Sequence, residues 1–174
     1  MDSEKENLLF WLMYKIGFTI WQLQELENTL ATYFVIRLKA CRGIGKEKGE
    51  ALLQTARKKT LGGLIRDLEK GGVVPATMAT RLCSILEKRN WLVHNARREN
   101  RGILSSPSKY DLFIGQLESI ASEAMALLKE IGQEVENYVL CSGVDKSKID
   151  SEADRLLKEW GLTEYQQRRQ CDAN

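Results

Sequence analysis

"IGFTIWQLQELENTLATYFVIRL" (residues 16–38) is the stretch on which the fold turns. Ile16, Ile20, Leu23, Leu30, Phe34 and Leu38 recur at steps of three, four or seven residues, the spacing that lines one face of an α-helix. Upstream, Ser3 with Glu6 has the pattern of a capping box, so the spacing predicts a helix from about Ser3 to Lys39. The series skips one beat, because position 27 is a glutamate. A carboxylate on a stripe that faces the core needs a partner. Arg89 is one and His94 another; alternatively the helix turns slightly, Leu26 takes the core slot and Glu27 is left at the edge.

Outward from this helix the pattern stays helical. "RGIGKEKG" (42–49) is a loop, followed by a second helix over about 50–70 with Leu53, Ala56, Leu61, Leu64, Ile65 and Leu68 as its buried stripe. "TLGG" (60–63) is its weak point, since each interior glycine costs about 1 kcal/mol against alanine. "GGVVP" (71–75) ends it, and a third helix spans about 76–100 through Leu82, Ile85, Leu86 and Leu92. Ser106 with Pro107 opens a fourth, to about Leu140, whose core face is Leu112, Leu117, Ile120, Ala124, Leu127, Leu128, Ile131 and Val135. "CSGVDKSK" (141–148) reads as a break before a short amphipathic helix over 151–162 and a polar tail. The expected fold class is all-α: an antiparallel bundle of four main helices over 1–140, then a short C-terminal helix and tail over 141–174.

Composition narrows the function classes. The net charge is +2, so bulk charge is no argument for a nucleic-acid partner and local clusters must carry it. Cys41, Cys83, Cys141 and Cys171 are scattered, with no metal-ligand spacing, so neither a zinc site nor a cofactor is expected. "GIGKEKG" (43–49) follows no strand and lacks the Gly-Lys-Ser/Thr ending of a phosphate loop. The apolar run "LLFWLMY" (8–14) follows a net-acidic segment and is cut short by Lys15, which suits neither a signal peptide nor a membrane span. A cytoplasmic protein is the expectation. Phe10, Trp11, Tyr14, Phe18 and Trp21 are more aromatic surface than one helix buries in one core, and point to a second copy as partner.

The chemistry is concentrated in "EKRNWLVHNARREN" (87–100), which holds the only histidine, His94. On a continuous helix Asn90 and His94 lie about 40° apart on one face, with Arg98 and Arg101 extending the line, while Arg89 lies about 140° round the axis from His94. The opposite side carries Ile85, Leu92 and Trp91 or Val93 toward the core. Guanidinium forks match phosphate oxygens, and an imidazole exchanges a proton near neutral pH. RNA brings its own nucleophile, the 2′-hydroxyl, so such a face can cleave it without a metal. The plainer reading is an ordinary solvated face, with Arg97, Arg98 and Arg101 paired to Glu87 and Glu99.

"RNWLVH" (89–94) resembles the R-x4-6-H signature of HEPN-domain proteins, all-helical bundles that include many metal-independent endoribonucleases of toxin–antitoxin and defence systems. The resemblance covers roughly residues 7–140. It implies Arg89 on the scissile phosphate, His94 as general base or acid, and Asn90 orienting one or the other. Glu27 would support the arginine, and Lys88, Arg97, Arg98 and Arg101 would widen the RNA track. It also implies a homodimer with the site at or near the interface, products ending in a 2′,3′-cyclic phosphate and a 5′-hydroxyl, and an antitoxin or regulatory protein as further partner. Antitoxin-modified members often carry a tyrosine two residues after the histidine; here that position is Ala96, which argues against that form of control. The competing expectations are a non-catalytic HEPN-like module that binds RNA, a nucleotide or a protein, and a structural bundle that dimerises through its first helix.

Overall fold

The structure is a computed structural model that describes residues 3–41 and 43–161. Among these residues there are seven α-helices, one 3₁₀ turn and no strand. The described residues divide into two compact units, one up to Gln133 and one from Glu134, so the division falls inside a helix.

In the first unit α1 spans Ser3–Leu38, close to its expected limits. Its buried face is Leu12, Thr19, Leu23, Leu26, Leu30 and Phe34, joined near the end by Ala31, Tyr33 and Val35. Ile16, Ile20 and Leu38 are only half-buried, so the core stripe is turned slightly from the one expected. Leu26, at 0 % exposure, fills the core slot, and Glu27 sits at the margin. Thr19 is buried without penalty: its hydroxyl reaches the Lys15 carbonyl at 2.8 Å and the Leu117 carbonyl at 3.3 Å. Tyr33 donates its hydroxyl to the Val73 carbonyl at 2.7 Å.

The expected second helix is two helices. α2 (Lys46–Arg57) and α3 (Leu61–Lys70) are separated where "TLGG" weakens the pattern. Thr60 caps α3 by accepting from the Gly63 amide at 3.1 Å, which makes a new start cheaper than a bent continuation. The third helix is also shorter than expected. α4 (Ala76–His94) stops at Asn95, and a single turn, α5 (Ala96–Glu99), follows. The Asn95 carbonyl accepts from the amides of both Arg98 and Glu99, at 3.0 and 3.1 Å, which starts the new turn. Gly102, in the left-handed conformation, turns the chain into the 3₁₀ turn Ile103–Ser105.

α6 (Pro107–Cys141) opens on proline, as expected. Its buried residues are Phe113, Leu117, Ile120, Ala121, Ala124, Leu127 and Ile131. Leu112, read as core from the sequence, is 67 % exposed; Phe113, about 100° round the helix, takes that role. Side-chain contacts fix the helix directions. Tyr110 donates to the Leu8 carbonyl and Lys15 pairs with Glu118, so α1 and α6 run the same way. Arg81 bridges Glu123 and Glu130 while Trp91 meets Phe113, so α4 runs against both.

The second unit holds the last turns of α6 and α7 (Lys146–Glu159). α7 begins earlier than expected because Asp145 caps it, accepting from the Ser147 amide at 2.9 Å. None of its residues is buried. Arg155 pairs with Glu152 and Glu159 along its surface. Cys171 and the rest of the polar tail lie outside the described residues.

Candidate functional site

The C-terminal half of α4 carries the signature residues, and α1 supplies one neighbour. Arg89 leaves α4 on the side of the core, beside Ile85 and Leu92 in angular position. Its aliphatic stem can lie along apolar surface while its charged end reaches the edge between helices. There its Nε donates to Glu27 Oε1 at 3.1 Å, and 32 % of each side chain remains exposed. Glu27 therefore meets both conditions weighed from the sequence: it has left the core slot to Leu26, and it engages Arg89.

The other end of the guanidinium turns toward solvent. Its NH1 makes a long contact, 3.4 Å, with Asn90 Oδ1. Asn90 and His94 are one helical turn apart on the exposed face of α4. Glu27, Arg89 and Asn90 thus form a chain of polar contacts that starts on α1 and ends one turn below the imidazole. His94 itself is exposed and makes no hydrogen bond among the described residues, so both ring nitrogens are open to a ligand. Of Trp91 and Val93, the alternatives for packing inward, Trp91 is half-buried against Phe113, and Val93 is exposed between Arg89 and Asn90 on this face.

The basic residues around the motif do not form the single line expected. The stop at Asn95 takes Arg98 and Arg101 off the helix that carries His94. Arg98 bonds the Asn95 side chain at 3.2 Å and sits over the break. Arg97 and Arg101 are exposed and Lys88 is half-buried. The pairing of these arginines with Glu87 and Glu99 does not occur: Glu99 accepts instead from the Trp91 indole, at 2.7 Å. Arg97, Arg98 and Arg101 make no ion pair among the described residues, so their charge is available to a polyanion.

Sequence reasoning did not single out the far side of the imidazole. There an open groove of about 640 Å³ lies between α4 and α6, with Trp91 and Leu112 in its lining. The signal was tertiary: Leu112, Gly115 and Ser119 share one exposed face of α6, but only the packing of α4 beside them makes a groove of it. No cluster of histidine, cysteine and carboxylates that could hold a metal occurs among the described residues. Among them, too, no helix is long and apolar enough to cross a membrane. Compared with known proteins, the chain matches no family model, no curated protein and no solved structure.

Proposed function

We propose that the protein is a HEPN-type endoribonuclease, a toxin or defence effector that cleaves RNA by attack of the 2′-hydroxyl. The observation that carries this reading is the contact chain Glu27–Arg89–Asn90 ending beside an exposed, unengaged His94. It supplies a held guanidinium for a phosphate and, on the exposed face of the same helix, an accessible base, on the residues that match the R-x4-6-H pattern.

The chemistry follows from those groups. His94 takes the proton of the 2′-hydroxyl, whose oxygen attacks the adjacent phosphorus. Arg89 stabilises the charge that builds on the non-bridging oxygens, with Glu27 fixing its orientation. The P–O5′ bond breaks, and the leaving 5′-oxygen takes up a proton from an imidazolium. The products are a 2′,3′-cyclic phosphate and a 5′-hydroxyl. Arg97, Arg98 and Arg101 draw in the flanking phosphates.

The working form is a homodimer. Phe10, Tyr14, Phe18 and Trp21 follow one another along the side of α1 opposite its core face, and all are exposed. With Trp11 they offer on the order of 500–600 Å² of aromatic surface, at roughly 200 Å² per ring side chain, most of the roughly 800 Å² one partner brings to a standard interface. Trp21 lies about 9 Å along the same helix from Glu27, so a copy seated on this face is close to the site. In a dimer Arg89 of one copy and His94 of the other can serve one phosphate, which removes the demand that both reach it from one helix.

One observation favours the second reading, a non-catalytic HEPN-like module. Arg89 is tied to Glu27 on the core side of α4 while His94 faces solvent, as suits two separate binding groups. Incubation with mixed RNA separates the two readings. The nuclease shortens RNA, and His94→Ala abolishes the shortening while RNA is still bound; the binding module holds RNA intact in both forms.

A further inference from the structure

His94 has a different neighbour on each side. Asn90 lies about 40° from it on α4 in one direction, and Trp91 about 60° in the other. Beyond Asn90 is the phosphate-binding edge. Beyond Trp91 is the groove of about 640 Å³, within the range of roughly 300–1,000 Å³ usual for small-molecule sites. The groove reaches the motif through Trp91, three residues before His94; the imidazole itself is not part of its lining.

The groove has two unlike walls. On α4 the indole of Trp91 is held from both ends: its Nε1 donates to Glu99 at 2.7 Å, and its ring meets Phe113 edge-on at 5.9 Å. A ring so held is a platform that needs no reordering when a flat ligand stacks on it. On α6, Gly115 opens the wall beside the exposed aliphatic Leu112, and Gln116 and Ser119 add an amide and a hydroxyl. Glu87 contributes a carboxylate on the α4 side. An aromatic face with hydrogen-bonding groups at its margin matches a flat heterocycle carrying donors and acceptors on its edge.

We infer that this groove is a nucleobase slot. It takes the base of the nucleotide whose 2′-hydroxyl faces His94 and whose 3′-phosphate lies toward Asn90, with Arg89 supplied by the second copy of the dimer. The inference rests on the nuclease reading and adds to it where the base goes. Base preference at the cleaved position is then set by Gln116, Ser119 and Glu87, none of which belongs to the signature.

Calorimetric titration of the full chain tests this. The probes are the four nucleoside 3′-monophosphates and the free nucleosides, with ribose 5-phosphate and inorganic phosphate as base-free controls. Gly115→Leu and, separately, Ser119→Leu fill the groove. A Cβ at Gly115 meets nothing within 4 Å, and leucine is the better helix former, so the fold tolerates the first change, as circular dichroism will show. The expected result is nucleotide binding weakened about tenfold or more in both variants, the loss of a stacked base, with phosphate binding unchanged. If nucleosides bind in this groove-dependent way but RNA is never cleaved, the nuclease reading falls and the slot remains as a nucleotide site. If nucleotides bind no tighter than ribose 5-phosphate, or Gly115→Leu binds them as the unmodified chain does, the slot is wrong whatever happens to RNA.

Discussion

Arg89 Nε meets Glu27 Oε1 at 3.1 Å across the α1–α4 edge, with about a third of each side chain open to water. At that exposure the pair contributes little to stability, less than about 1 kcal/mol. Its weight is in orientation. Glu27→Ala is expected to leave the urea midpoint nearly unchanged while lowering RNA cleavage about tenfold or more. Glu27→Gln, which keeps an acceptor for Nε, retains more activity than the alanine variant. Equal cleavage by all three forms would remove Glu27 from the site.

The turned core stripe of α1 makes a sharper stability test. Leu26 is fully buried, so Leu26→Ala is expected to cost about 2–5 kcal/mol. Leu112, which the periodicity of α6 placed inside, is exposed, and Leu112→Ala stays within about 0.5 kcal/mol. Urea unfolding of the two variants compares them directly; a large loss at Leu112 and a small one at Leu26 would mean the helices are rotated from the arrangement described.

These two leucines show what was legible. The length and ends of α1, and the proline opening of α6, follow from periodicity and capping, which are local signals. Rotation of a stripe by a few tens of degrees does not, because it depends on what packs opposite. The split at Thr60 was marked by two glycines and a hydroxyl cap. The stop at Asn95 was not: its neighbours have ordinary helix propensity, and the break shows only in the two amides converging on one carbonyl. At the site, Arg89, Asn90 and His94 were legible as a string, and Glu27 as a misplaced charge. Trp91 was legible only as an aromatic in the motif, since its groove needs α6 beside it.

Asp145 gives a pH-dependent expectation. The Ser147 amide and hydroxyl hold its carboxyl below the usual 3.8. A group depressed in the folded state stabilises it above the unfolded value and loses that contribution as pH falls through the folded value. The first turn of α7 is therefore intact from neutral pH down to about 4 and frays below it, which the Ser147 amide resonance reports. Asp145→Asn, which caps without titrating, flattens this dependence; an unchanged acid transition in that variant would assign it to another group.

The exposed aromatic face of α1 predicts a dimer that two added charges can break. Trp21, at 64 % exposure, costs the monomer little when replaced. Light scattering on the eluting protein is expected to give twice the chain mass for the unmodified chain and the chain mass for Phe18→Glu with Trp21→Glu. RNA cleavage should fall with the mass. A monomer at all concentrations, or a dimer indifferent to both glutamates, would place the partner elsewhere.

The most direct measurement pairs one RNA oligonucleotide with the same sequence carrying 2′-O-methyl groups, in excess chelator, against the unmodified chain, Arg89→Ala and His94→Ala. The account predicts that only the unmodified chain cuts, that it cuts only the 2′-hydroxyl form, and that the new ends are a 2′,3′-cyclic phosphate and a 5′-hydroxyl. Cleavage of the methylated strand, cleavage that persists in His94→Ala, or cleavage that the chelator stops would contradict it.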